Sequence, residues 1–74
     1  MSRDYLKVLV DGLLLDATLT TISIPACEVG AAHKKHYYEL DGRQISYGLT
    51  KREALEQLIS VSRERGWAVY QKLS

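Results

Sequence analysis

The chain has 74 residues, a length that forms one domain and buries only about 60% of the surface of the unfolded chain. Hydrophobic residues make up 46% and charged residues 26% of the sequence, which excludes a disordered segment. The net charge of +1 excludes a strong overall attraction to nucleic acid, and the small core leaves little room for a deep substrate cleft.

Charge distribution and cysteine content further limit the classes of protein to which this chain can belong. Residues 1–32 carry two basic and four acidic residues, a net charge of −2, whereas residues 33–74 carry eight basic and five acidic residues, a net charge of +3. Cys27 is the single cysteine, so no internal disulfide can form, and without a signal peptide we expect an intracellular, cytoplasmic protein. The longest apolar runs are far shorter than the roughly 20 residues of a membrane span, so no membrane partner is expected.

The first predicted element is a hairpin over residues 5–10 and 13–17. Asp11 and Gly12 suit the two-residue turn between these runs, because both tolerate positive φ. Both runs are almost continuously apolar, which indicates a hairpin that is covered on both faces or forms an interface. The leucines expected to bind a protein or a second copy of the chain are Leu9, Leu13, Leu14 and Leu15.

A separate strand is predicted over residues 18–25, where β-branched residues favour extended backbone and Pro25 ends the ladder. The small residues that follow, with Gly30 and no hydrophobic period, predict a loop over residues 26–35.

The clearest hairpin surrounds a second Asp-Gly turn at Asp41 and Gly42. Pairing outward from this turn predicts one apolar and one polar face. The apolar face is Tyr38, Leu40, Ile45 and Tyr47. The polar face is Tyr37, Glu39, Gln44 and Ser46.

A helix follows, and both of its ends are marked. Thr50 and Glu53 form a capping box, and Gly66 suits the left-handed position after the last turn. The residues on its apolar face are Ala54, Leu55, Leu58, Ile59 and Ser62, with Val61 at the margin. A last strand is predicted over residues 67–73, with Trp67 packed beside the end of the helix.

These elements predict an α+β fold: a single small domain with one mostly antiparallel β-sheet of four to six strands. One α-helix, from about Lys51 to Arg65, packs across the sheet. Because this helix could form a crossover connection, the last strand could lie parallel to a neighbour.

Three residues are candidates for a metal site or for a nucleophile with its base. Cys27, His33 and His36 have the spacing C-x5-H-x2-H, which is wider than that of usual zinc sites and lacks a fourth ligand. A Cys-His pair could activate a thiolate, but no sequence around Cys27 matches a catalytic cysteine signature. Nucleotide-binding and hydrolase motifs are also absent from the sequence. We therefore expect no enzyme, no metal and no cofactor.

The partner-binding site is expected in the second half of the chain. Cations and a tyrosine are expected at one end of the second hairpin and in the loop before it, facing an anionic surface. The predicted residues are His33, Lys34, Lys35, His36, Tyr37 and Arg43. A charge of +3 over this half is small for phosphate binding, so a protein partner is favoured over nucleic acid.

The segment from His36 to Trp67 resembles the three-stranded-sheet-plus-helix DNA-binding domains at the start of phage integrases. The matching residues are Gly42, Arg43, Gly48, Thr50, Glu53 and Ala54. The resemblance implies a small DNA- or RNA-binding domain, although this sheet carries Glu39, Gln44 and Ser46 where those domains carry cations.

In size and composition the whole chain resembles the small early proteins with which lytic phages take over a host. These include inhibitors and antiterminators that bind RNA polymerase, and anti-CRISPR proteins. The resemblance implies a phage-encoded, non-catalytic binding protein that occludes its target or stabilises one state of it. It also implies bacterial RNA polymerase as the partner, and transcription or its termination as the regulated process.

Overall fold

The computed structural model describes residues 4–72. Five strands and one helix follow one another along the chain. They are β1 (Tyr5–Val10), β2 (Leu13–Ile24), β3 (His33–Leu40), β4 (Arg43–Gly48), α1 (Lys51–Glu64) and β5 (Ala68–Lys72). The predicted α+β domain is confirmed; residue 73, the predicted end of the last strand, lies outside the described residues.

The strands form one sheet in the order β4-β3-β2-β1-β5, and every neighbouring pair is antiparallel. β2 joins the two halves of this sheet, because residues 13–16 pair with β1 and residues 17–24 pair with β3. The prediction of two separate strands in this region was wrong. No glycine or proline interrupts residues 13–24, so the extended backbone continues through them.

α1 crosses the sheet from β4 at one edge to β5 at the other. The prediction that β5 could lie parallel to a neighbour was wrong, since β5 pairs antiparallel with β1. β5 runs in the same direction as β4, but three strands lie between them. The helix therefore makes a long crossover that brings the end of the chain beside its first strand.

The core lies between α1 and one face of the sheet. Its buried members are Leu6, Val8, Tyr38, Leu40, Ala54 and Leu58, with Leu15, Leu19, Ile45 and Trp67 among the half-buried residues around them. The predicted helix stripe is confirmed, because Ala54, Leu58 and Ser62 are the buried helix residues. Trp67 packs on this core, and Arg65 lies 5.1 Å from the centre of its ring.

The helix ends form as the sequence predicts. At the start, the Glu53 amide donates to the Thr50 hydroxyl at 3.1 Å, while the Glu53 carboxylate accepts from the Leu49 amide. At the end, Gly66 has φ +74°, and Trp67 donates its amide to the Ser62 carbonyl at 2.8 Å. This Schellman arrangement satisfies carbonyls that the helix leaves free.

The β3–β4 pairing differs from the prediction beyond the turn. A bulge between Tyr38 and Glu39 shifts the register, so Tyr38 lies opposite Ser46 and Tyr37 lies opposite Tyr47. Ser46 is consequently buried and Tyr47 is exposed, the reverse of the predicted faces. The small residue suits the place below the helix, where the Ser46 hydroxyl donates to the Ala54 carbonyl at 2.8 Å.

The far end of β2 and β3 extends beyond the other strands. β4 pairs with β3 only as far as His36, so residues 22–24 and 33–35 form a two-stranded ribbon, closed by a loop in which Cys27 and Gly30 form a β-bridge. We call residues 22–35 the arm. The radius of gyration is 13.9 Å, compared with about 11 Å for a compact chain of this size. The arm accounts for part of this elongation.

Candidate binding face

One face of the sheet has no helix against it among residues 4–72, and we call it the open face. Side chains of directly paired residues share a face, so the register assigns its members. From one edge to the other they are Gln44, Tyr47, His33, Lys35, Tyr37, Glu39, Leu14, Asp16, Thr18, Thr20, Ile22, Ile24, Tyr5, Lys7, Leu9, Ala68, Tyr70 and Lys72. The solvent-facing side of an antiparallel sheet normally carries polar residues. The open face carries more aromatic and aliphatic residues than such a side usually does.

Four of the five tyrosines lie on the open face. Tyr5, Tyr47 and Tyr70 are 43%, 54% and 49% exposed, and Tyr37 is half-buried. The fifth, Tyr38, faces the helix, and burial raises the pKa of its phenol above 10.0. Tyrosine combines a large apolar ring with a polar tip, so an exposed set of this kind is typical of binding surfaces.

A shallow hollow of about 270 Å³ lies on the open face where the arm begins. Tyr37 and Tyr47, a directly paired couple, line it together with Ile22, Lys35 and Gln44. The hollow therefore presents two aromatic rings, an aliphatic wall and one ammonium group.

The charges of the open face nearly cancel. Lys7 and Asp16 lie opposite each other on β1 and β2, with 3.8 Å between the Lys7 Nζ and a carboxylate oxygen of Asp16. Lys35 and Lys72 are offset in part by Glu39. The described residues of this face therefore form no contiguous cationic track, in keeping with the low net charge.

The predicted basic stretch is divided by the strand that contains it. His33, Lys35 and Tyr37 point to the open face, whereas Lys34 and His36 point to the opposite side. His36 is 8% exposed, and its Nδ1 lies 2.7 Å from the Thr21 hydroxyl, so it serves packing within the sheet. Only part of the stretch can contact one flat surface.

Arg43 does not join this stretch. It pairs with Leu40 at the turn end of β3–β4, whereas His33 lies seven residues before Leu40 along β3, about 23 Å away at ~3.3 Å per residue. Arg43 instead borders a notch of about 360 Å³ near the helix end, with Asp41, Arg65 and Trp67 among its lining residues. The prediction that Arg43 shares one end of the hairpin with the histidines and lysines was wrong.

The predicted apolar interface is also split between the two faces. Leu9 and Leu14 form a direct pair on the open face, and Leu14 is 53% exposed. Leu15 turns toward the helix and packs on the core, and Leu13 shares that side but is 66% exposed at the edge. Leu9 and Leu14 are thus the two that a partner on the open face would cover.

The three residues weighed as metal ligands point in different directions. Cys27 is exposed in the arm loop, His33 Nδ1 lies 3.0 Å from the Ala31 carbonyl, and His36 is buried on the other face. Within residues 4–72, no group of three His, Cys, Asp or Glu side chains is placed to hold a metal ion.

Two of the four tyrosines of the open face were not predicted to bind a partner. Tyr5 and Tyr47 were placed in strands without a binding role, and Tyr47 was assigned to the core. Alternation within β1 and β5 already places Tyr5 with Leu9, and Tyr70 with Lys72. The sequence did not indicate on which face of the sheet Tyr47 lies, because this depends on the bulge in β3–β4.

No protein family, curated protein or solved structure matches this chain. Among residues 4–72, the structure contains no helix of the length and apolar character that crossing a membrane requires.

Proposed function

We propose that the chain is a non-catalytic regulatory binding protein that docks on a protein partner through the open face. The observation that carries this proposal is the makeup of that face, with four tyrosines, Leu9, Leu14, Ile22 and Ile24 on one uncovered side of the sheet. Tyrosine is one of the residues that supply most of the binding energy of protein interfaces, and the aliphatic side chains add apolar area that a partner can bury. The nearly balanced charges, in contrast, offer no strong attraction to phosphates.

Several features support a binding role rather than catalysis. The Nδ1 of His36 is held by the Thr21 hydroxyl, and the His33 ring lies against a backbone carbonyl. Cys27 lies exposed in the arm loop, and the ring that the Thr21 hydroxyl contacts, His36, is buried in the sheet at 8% exposure. The hollow between Tyr37 and Tyr47 suits a side chain of a partner better than a buried substrate.

The partner that we propose first is bacterial RNA polymerase, with the chain acting in the bacterial cytoplasm on transcription or its termination. Support for this choice comes from the resemblance in size and composition to phage proteins that take over the host. The open face adds a flat, mostly uncharged docking surface, as a stoichiometric binder requires.

The test is a titration of purified RNA polymerase, core and holoenzyme, with the chain and two matched lysine variants. Leu14→Lys places a charge on the central strand of the open face, opposite Leu9, and we expect it to weaken binding by at least about tenfold. Ser60→Lys adds the same charge on the exposed side of α1 and should leave the dissociation constant unchanged. Equal affinities for both variants, with the fold intact by circular dichroism, would show that the open face is not the docking surface.

A second candidate function is the binding of single-stranded nucleic acid, and the hollow favours it specifically. Tyr37 and Tyr47 could stack on bases while Lys35 contacts a phosphate. The two candidates differ in their response to Leu14→Lys, because an added cation should strengthen binding to an oligonucleotide. Binding that survives nuclease treatment and is weakened by Leu14→Lys supports the protein partner.

A further inference from the structure

The hollow on the open face lies where β2, β3 and β4 run side by side. Tyr37 and Tyr47 form a directly paired couple across β3 and β4. The Cβ atoms of such a pair lie about 4.5–5.5 Å apart, so the two rings are neighbours on one surface. Tyr37 is half-buried and Tyr47 is 54% exposed. A partner that covers this pair would bury aromatic surface that water contacts in the free chain.

The volume of the hollow suits a single side chain. It measures about 270 Å³, below the lower end, about 300 Å³, of the pockets that hold small molecules. Ile22, which is 39% exposed, forms its aliphatic wall on the β2 side. Aromatic side chains bury the largest apolar areas, and rings prefer offset or edge-to-face contact with their centres about 4.5–7 Å apart. A third ring, supplied by a partner, can make such contacts with Tyr37 and Tyr47.

Of the described residues that line the hollow, Lys35 alone is charged. Lys35 is half-buried, and neither of the two ion pairs found among residues 4–72 includes it. Glu39, the acidic residue of the open face on the same strand, lies four residues away, about 13 Å at ~3.3 Å per residue. The Lys35 ammonium group can therefore pair with a carboxylate of a partner.

This charge distinguishes between the kinds of side chain that anchor protein interfaces. Tyrosine, tryptophan and arginine are all common anchors, and an arginine could lie over a tyrosine ring. Lys35 opposes an arginine, because two cations in one small hollow repel each other. A carboxylate beside an aromatic anchor is attracted instead, and the amide of the exposed Gln44 can donate a hydrogen bond to it.

We propose that the hollow binds an aromatic side chain of the protein partner that is adjacent to a glutamate or aspartate. The ring packs on Tyr37, Tyr47 and Ile22, and the carboxylate contacts the Lys35 ammonium group. This occupant rests on the proposed function and extends it, since it specifies which segment of a protein partner the open face recognises. Lys34 points to the opposite side of the sheet and takes no part in it.

The first test is a two-dimensional NMR titration of the isotope-labelled chain with acetylated, amidated dipeptides. Tryptophan–glutamate, tryptophan–glutamine and tryptophan–lysine share the ring and differ in charge. We expect the signals of the residues that line the hollow to shift. The glutamate peptide should bind about two- to fivefold more tightly than the glutamine peptide, and the lysine peptide should bind most weakly. Equal affinity for all three peptides, or shifts confined to other parts of the chain, would overturn the proposal.

Two pairs of variants locate the binding site. Lys35→Gln should bind the glutamate and glutamine peptides equally, whereas Lys34→Gln removes the same charge from the opposite side and should keep the difference. Tyr47→Ala should weaken binding of every tryptophan peptide by at least about threefold. Tyr70→Ala removes an exposed tyrosine at the other edge of the open face and should not. Equal effects within either pair, in variants whose NMR spectra show the native fold, contradict binding in the hollow.

Uridine monophosphate tests the other occupant, because a base could stack on the same rings while its phosphate contacts Lys35. Tighter binding of this nucleotide than of the tryptophan–glutamate peptide would overturn the proposal in favour of nucleic acid.

The peptide titration and the RNA polymerase titration can fail separately. If the peptides do not bind but Leu14→Lys still weakens binding to the polymerase, the occupant of the hollow is wrong and the proposed function stands. If the peptides bind as expected and the polymerase does not, the occupant is supported and the polymerase is rejected as the partner.

Discussion

Two serines are fully buried between the helix and the sheet, and they differ in hydrogen bonding. Ser46 on β4 donates its hydroxyl to the Ala54 carbonyl at 2.8 Å. Ser62 on α1 is 0% exposed, and within residues 4–72 its hydroxyl has no hydrogen-bond partner. A buried hydroxyl without a partner loses its bonds to water and gains nothing in exchange.

We expect opposite effects when each serine is replaced by alanine. Ser62→Ala removes an unsatisfied group and should raise the free energy of unfolding by about 1 kcal/mol. Ser46→Ala removes a satisfied bond and should lower the free energy of unfolding by about 1 kcal/mol. Urea denaturation of the two variants measures both changes. Destabilisation by Ser62→Ala would mean that its hydroxyl is satisfied in solution.

Tyr38 makes stability depend on pH in the alkaline range. Burial raises the pKa of its phenol in the folded chain, whereas the unfolded value is about 10. Above about pH 10 the unfolded chain loses this proton more readily than the folded chain, so the free energy of unfolding falls as pH rises. Below that pH the Tyr38 phenol is protonated in both states and does not make the free energy of unfolding depend on pH.

Thermal denaturation across this range should show the fall in the wild type and a smaller fall in Tyr38→Phe. Tyr70→Phe is the matched control, because it removes the same hydroxyl from an exposed side chain. Parallel curves for the wild type and Tyr38→Phe would show that the Tyr38 phenol titrates alike in both states.

At the scale of elements, Gly48 determines how closely β4 approaches the helix. A Cβ built on Gly48 would lie 2.6 Å from the Ala54 amide nitrogen and 2.6 Å from the Glu53 Cβ. Contacts this short require the helix start to move. Gly30, in the arm loop, has nothing within 4 Å of the same position and no strained φ.

Gly48→Ala should therefore lower the free energy of unfolding by about 1–3 kcal/mol, as overpacked cores do. Gly30→Ala should change it by less than about 0.5 kcal/mol. Chemical denaturation gives both values. If the two variants are equally stable, the junction between β4 and α1 has room that the structure does not show.

The elements differ in how far the sequence specifies them. The helix was predicted correctly, because its caps and apolar stripe are local signals. Both hairpin turns were also predicted, since Asp11 and Asp41 adopt the positive φ that an Asp-Gly turn needs. The faces of β4 were not predictable, because the bulge depends on how Ser46 and Gly48 fit below the helix.

At the scale of the whole molecule, the strand order was not accessible from the sequence. Nothing local specifies that β5 pairs with β1, and this pairing determines that Tyr5, Lys7 and Tyr70 lie together on the open face. The candidate site was accordingly predicted in part. Of the residues predicted to bind a partner, Leu14 and Lys35 lie on the open face, whereas Arg43 was grouped with residues that lie at the other end of β3.

The position of β5 also has a consequence for the order in which the chain folds. The β1–β2 and β3–β4 hairpins each close a two-residue turn, whereas pairing Leu9 with Ala68 closes a loop of most of the chain. Loop-closure entropy grows with the logarithm of length, which places this pairing about 3 kcal/mol behind the hairpins. The ladder between the first and last strands should therefore be absent from the folding transition state. Substitutions in β5 would then speed unfolding and leave the folding rate almost unchanged.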